Sequence, residues 1–167
     1  MIEKIWNQFI NYLKNEDQGN LKKINPPATK KQLEKAKKTL GSLFHEDIEK
    51  IYEKADGFIE GAYLLSDKYR ILPIDEMLEK SLKLVGEVLI TDWEAGESKK
   101  INKLTIVIFA VAKDDNEDIQ QIGFSVRKNK TNITIWYKEG GIHTFEEVVE
   151  TSETLEEWLN EMMEYYG

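Results

Sequence analysis

The chain has 167 residues, no Cys, two His and three Pro, and 23 Lys plus Arg against 31 Asp plus Glu give a formal net charge of −8. This length suits a single globular domain over residues 1–167. The four Trp, seven Tyr and six Phe argue against disorder despite 32% charged residues. Without cysteine there is no disulfide framework, thiolate nucleophile or sulfur-ligated zinc site, and the acidic balance disfavours direct nucleic-acid binding.

The N-terminal stretch places Ile2, Ile5, Trp6, Phe9, Ile10 and Leu13 on one stripe of an amphipathic helix. It lacks the continuous apolar core of a signal peptide. Pro26-Pro27 forces an extended entry to the next helix. Thr29 and Gln32 form a capping-box pattern before a helix that turns Leu33, Ala36 and Leu40 inward, and Gly41 is expected to supply a left-handed exit. A third helix carries Ile48, Ile51, Tyr52 and Ala55 on one face and stops at Gly57.

Gly61–Leu65 reads as a short strand, continued across a turn by Tyr69–Pro73. From Ile74 a helix is expected, with Met77, Leu78, Leu82, Val85 and Leu89 near a 3.6-residue period. Residues 91–103 read as an irregular connection, with Trp93 plugged beneath it. Leu104–Ala112 is β-branched-rich and nearly continuous, as in a strand covered on both faces. At nine residues it is far too short to cross a bilayer as a helix, which takes about 20. Ile119–Arg127 and Asn132–Lys138 alternate as strands around a Lys128–Lys130 turn, and Gly140-Gly141 marks another turn before a strand at Phe145–Glu150. Thr154 and Glu157 make a second capping box, and Leu155, Trp158, Leu159, Met162, Met163 and Tyr166 form the stripe of a closing helix. The fold class is α+β: a mostly antiparallel sheet packed with N-terminal helices and a closing C-terminal helix.

Motifs for catalysis are missing. There is no phosphate loop, dinucleotide fingerprint or nucleophile elbow, and His45 and His143 read as surface or capping residues without metal-motif spacing. No catalytic residue, metal site or cofactor is assigned. Asp114, Asp115, Glu117 and Asp118 form an acidic loop without the alternating ligand pattern of a calcium site. Charge is segregated along the chain: residues 1–54 carry net +3, residues 55–138 net −2, and residues 139–167 nine Glu with no Lys or Arg. Glu161 and Glu164, late in a helix, bring no stability through the helix dipole. The acidic end is either a plain solvated face or a surface for a basic protein partner.

Pro26-Pro27-Ala28-Thr29, Gln32-Leu33, Leu40-Gly41, Glu46-Asp47-Ile48, Ile51-Tyr52 and Asp56-Gly57 together resemble the SUKH superfamily of Smi/Knr-type domains. The Gly61–Leu65 and Arg70–Ile74 stretches, Trp6 on the first helix and Thr154–Leu159 at the end fit the same pattern. Lys37 stands where the family often has Glu, and Phe44-His45 where it often has Leu-Pro. The composition points to the cytoplasm, and the resemblance implies a non-enzymatic protein-binding domain. In bacterial members it implies an immunity protein that neutralises a toxin, often a nuclease, by stoichiometric binding; no membrane or nucleic acid is engaged directly. The expected partner-binding residues are Glu156, Glu157, Glu161 and Glu164, with Asp114, Asp115, Glu117 and Asp118 second; Trp6, Trp158 and Gly57 are expected to be structural. Two alternatives remain open: a regulatory or scaffold domain of the same fold with a host partner, and a small-molecule-binding or enzymatic domain using a cleft near Trp93 and His143.

Overall fold

The computed structural model describes residues 1–85, 89–92, 97–100, 104–113, 119–138 and 144–165. Helix α1 (Ile2–Glu16) buries Ile2, Trp6, Phe9 and Leu13, the stripe that its spacing predicts. Helix α2 (Lys30–Leu40) opens on the expected capping box: Gln32 N–H donates to Thr29 Oγ1 at 3.2 Å, and Thr29 N–H donates to Gln32 Oε1 at 2.9 Å. Its exit differs from the expectation. Gly41 has φ +57° but ψ −129°, so it makes a sharp corner instead of a left-handed helical cap, and one 3₁₀ turn over Gly41–Leu43 follows directly. Helix α3 (Glu46–Lys54) buries Ile48, Ile51 and Tyr52 and gives way to the buried, extended Ala55.

The strand expected at Gly61–Leu65 is not one. Ala62, Leu64 and Leu65 are buried there as loop residues. Leu65, Ser66 and Asp67 all take φ near +58°, a left-handed turn that a strand cannot contain. Leu64 and Tyr69 close that turn by exchanging backbone bonds of 2.7 and 2.9 Å. Strand β1 (Tyr69–Ile71) follows, then helix α4 (Ile74–Lys83). The α4 stripe is rotated from the expected one: Ile74, Met77, Leu78 and Ser81 are buried, while Leu82 is 49% exposed. Ser81 turns inward because its Oγ accepts the Ile108 N–H at 2.9 Å, and a small side chain suits that close approach to the sheet. Leu89 lies beyond the helix, in strand β2 (Leu89–Asp92). With strand β3 (Glu97–Lys100), β2 forms an antiparallel pair inside the stretch expected to be irregular. Trp93 lies outside the described residues.

Strand β4 (Val107–Lys113) has Val107 to Ala112 all buried, as a continuous apolar run predicts for a strand covered on both faces. Strands β5 (Ile119–Arg127) and β6 (Lys130–Lys138) are joined by a two-residue turn. Lys128 and Asn129 both take positive φ there, the geometry whose twist matches flanking antiparallel strands. Strand β7 (Thr144–Thr154) is longer than expected and runs directly into helix α5 (Leu155–Tyr165). The Gly140-Gly141 turn and Tyr166 lie outside the described residues.

The seven strands form one sheet in the order β1-β4-β5-β6-β7-β2-β3, antiparallel throughout except for the parallel β2–β7 pair. The fold is α+β, as the sequence predicts. α5 packs on α1, β6 and β7; α1 packs on α3, α3 on α2, and α2 on α4, which also lies against β4. Buried apolar side chains from all of α1–α5 and from β1, β4, β5 and β6 join in one cluster. Among the described residues no helix is long and apolar enough to cross a membrane.

Candidate partner-binding surface

Helix α5 is fixed in place by its ends and its inner face. Thr154 N–H donates to Glu157 Oε2 at 2.8 Å, and Glu157 N–H donates to Thr154 Oγ1 at 3.3 Å, completing the second capping box. Leu155, Trp158, Leu159 and Met162 are buried. The Trp158 ring meets Phe109 edge-on at 5.4 Å and Tyr69 at 6.1 Å, which anchors the helix on β4 and β1. The opposite face presents Glu157, Asn160, Glu161 and Glu164 to solvent, with no basic residue in the last turn.

The four expected contact residues on α5 are therefore not equivalent. Glu157 is exposed but caps its own helix. Glu156 is half-buried, and its Oε1 accepts the Met1 ammonium at 2.6 Å. Glu161 and Glu164 are exposed, and Glu164 stands in the last turn, where a negative charge opposes the dipole. Asp114, Asp115, Glu117, Asp118 and His143 lie outside the described residues.

Two adjoining open grooves flank α5. One, of about 320 Å³, is lined by Asp47, Asn129, Lys130, Glu156, Glu157 and Asn160 among others. The second, of about 520 Å³, runs between α1 and α5 past Lys4 and Gln8. Both are open to solvent, share Ile5, and carry charges of both signs. His45 stands at the edge of the first. It is buried, not superficial, and it caps α3: Nδ1 accepts the Asp47 N–H at 3.1 Å, and Nε2 lies 2.9 Å from the Asn129 carbonyl oxygen. With Nδ1 accepting, Nε2 must carry the proton it donates to that carbonyl, so both nitrogens serve to hold α3 against the β5–β6 turn. Among the described residues no group of three or more His, Cys, Asp or Glu is arranged to hold a metal ion.

A second cluster of polar groups escaped sequence reasoning. Asp56 Oδ1 accepts the Ile74 N–H at 2.8 Å, so the cap of α4 comes from a residue 18 positions upstream, and Pro73 at the helix start supplies none. Gln32 Nε2 reaches Asp56 Oδ2 at 3.4 Å. Burial pushes the Asp56 carboxyl above its ordinary range, and the Ile74 bond pulls it only part of the way back. Tyr52 donates its hydroxyl to the Leu72 carbonyl at 2.6 Å, and burial pushes that phenol far up. Gly57, with φ +62°, lies where a Cβ would stand 2.5 Å from the Leu72 carbonyl carbon and 2.7 Å from the Ile71 oxygen. Arg70 is buried and forms a two-pronged pair with Glu76, both bonds 2.7 Å. Its Nε and Nη2 also donate to the Ile59 and Phe58 carbonyls at 2.9 and 3.3 Å. The Arg70 bonds hold the Glu76 carboxyl below its ordinary range. No spacing rule announces Asp56, Arg70 and Glu76 as one cluster, because each finds its partners only through the tertiary packing of α2, α3, β1 and α4.

The SMI1 / KNR4 family (SUKH-1) matches residues 27–161, most of the chain. The chain belongs to that family. No curated protein matches it. Several of the segments that resemble the family in sequence build this clasp of polar groups around Asp56 and Arg70: Gln32 near the start of α2, Tyr52 on α3, Asp56-Gly57 after it, and Arg70–Ile74 beside them. In this SUKH-1 chain the Asp-Gly pair is structural twice over, Asp56 as the distant cap of α4 and Gly57 as the residue that lets two backbones touch. Trp6 and Trp158 are likewise core residues, 1% and 3% exposed.

Proposed function

We propose that this SUKH-1 chain is a non-enzymatic immunity protein that neutralises a cognate toxin in the cytoplasm by stoichiometric binding, acting as one unit over residues 1–167. The observation that carries this reading is the outward face of α5. Glu157, Glu161 and Glu164 are exposed at spacings of four and three residues, on a helix already anchored by its opposite face. Such a face suits a basic protein, and a nuclease, whose groove accommodates phosphates, is the fitting toxin class. Glu156 and the acidic Asp114, Asp115, Glu117 and Asp118 complete the proposed surface. No small-molecule cofactor or metal is required for this activity.

The direct test co-expresses the chain with the toxin encoded beside its gene. Growth is rescued and a one-to-one complex elutes from gel filtration. Continued killing with no complex overturns the reading. Within the complex, Glu161→Lys with Glu164→Lys slows association at low salt, while the dissociation rate changes less. An unchanged, salt-dependent on-rate removes α5 from the interface and leaves the immunity role standing.

A further inference from the structure

Two helix faces of this chain match each other. Helices α2 and α5 are both 11 residues long; α2 carries five Lys and one Glu, and α5 four Glu and no basic residue. On α2, Lys31, Lys35 and Lys38 are exposed at spacings of four and three, on the side away from the buried Ala36 and Leu40. On α5, Glu157, Glu161 and Glu164 are exposed at the same spacings. At the rise of an α-helix each stripe is about 10 Å long.

Within one chain the two stripes are not each other's partners. α5 packs on α1 and the sheet, while α2 packs on α3 and α4, so α1 and α3 stand between them. Lys35 makes a loose, exposed pair with Asp75 at 3.7 Å; Lys37, which is off the stripe, is held by Glu49 at 2.6 Å. Helix chemistry accounts for only part of either placement: Lys38, in the last turn of α2, and Glu157, which caps α5, suit their positions, but the other ends of the two stripes do not. Lys31 sits in the first turn of α2 and Glu164 in the last turn of α5, the ends where those charges oppose the dipole.

We propose that the lysine stripe of α2 docks on the glutamate stripe of α5 in a second copy of this chain, centred on Lys35 and Glu161. The contact is heterologous, each copy offering one face to each neighbour, so it can propagate head to tail. Made of exposed ion pairs, it is weak and strongly screened by salt. The inference does not rest on the proposed immunity role, although a basic toxin on α5 would compete with the second copy.

Sedimentation velocity of the full chain, with no partner added, tests it at about 10 mM and about 1 M salt, where the screening length changes from roughly 30 to 3 Å. At low salt the weight-average mass rises with concentration to at least twice that of the monomer; at high salt it stays monomeric. The triple variant Lys31→Glu, Lys35→Glu, Lys38→Glu is monomeric alone, as is the double variant Glu161→Lys, Glu164→Lys. An equimolar mixture of the two associates again. The intact basic α2 of the double variant meets the intact acidic α5 of the triple variant, and the reversed, acidic α2 meets the reversed, basic α5 as well. Glu157 is left intact because it caps its helix. Should the triple variant lose its helical spectrum, the three Lys→Gln changes replace it with the same expectation. A monomer at low salt overturns the proposal, as does association that survives either reversal or a mixture that stays monomeric.

Discussion

Around Arg70 and on the outer face of α5 the chain uses charge in opposite ways. Arg70 is buried, with its guanidinium bonded to Glu76 and to two carbonyls, and Asp56 nearby is spent on the N-terminus of α4. On α5, Glu161 and Glu164 stand in solvent, Glu164 in the last turn where the dipole disfavours it. The first arrangement holds strand, loop and helices together and has little left to offer a partner. The second contributes nothing evident to its own helix and is available to another molecule. The residues that identify the family are thus mostly the ones that build the fold, and recognition is to be sought on a surface that the family pattern leaves open.

Substitutions in the two regions should separate accordingly. Arg70→Met has one of the two largest expected effects. It leaves the Phe58 and Ile59 carbonyls without their donor, while Glu76, 37% exposed, is partly solvated, at a total cost of about 2–4 kcal/mol in urea unfolding. A loss under about 1 kcal/mol would show that the pair is no more than a surface bridge. Gly57→Ala follows. Its Cβ would press on the backbone at Leu72 from a left-handed conformation, and a loss of about 2–4 kcal/mol is expected. Wild-type stability in that variant would mean that the Leu72 backbone yields freely.

Smaller effects come from pH. Asp56 binds its proton more tightly in the folded than in the unfolded chain, so its contribution is greatest below the ordinary aspartate value of about 3.9. It is lost as pH rises through the raised folded value. Glu76 has the opposite sign: its contribution is present above about 4.3 and is lost as pH falls through the depressed folded value. The stability of wild type relative to Asp56→Asn should therefore decline from acid towards neutral pH, read from denaturation midpoints across that range. A flat difference would show that Asp56 titrates normally. The smallest effect on stability is expected where the effect on binding is greatest. Glu161→Lys with Glu164→Lys should leave unfolding within about 0.5 kcal/mol of wild type, and a larger loss would place α5 with the clasp instead of with the free surface.

Local rules made much of this fold legible. Both capping boxes, the α1 stripe, the continuous apolar β4 and the extent of β5 follow from side-chain period and from polar groups within three residues of a helix start. Where the structure departs from these local rules, tertiary contacts override the local pattern. Gly61–Leu65 is apolar enough for a strand, but Leu65–Asp67 turn left-handed to bring Leu64 against Tyr69. The 3.6-residue period runs the α4 stripe through Leu82 and Leu89, whereas the sheet selects the face that carries Ser81, whose oxygen accepts from Ile108. In the candidate site, the acidic character of α5 was legible. That Glu157 caps, that Glu156 is tied to Met1, and that Glu161 and Glu164 alone face outward without either duty was not.

The net charge and its concentration in the last 29 residues belong to the sequence alone, as do the fold class and the helix starts, because composition, period and capping act over a few neighbouring residues. Only the tertiary structure decided which charges are committed and which are free. Asp56 and Ile74 are 18 residues apart, and His45 and Asn129 are 84 apart. A hydrogen bond acts over about 3 Å of space whatever the distance along the chain.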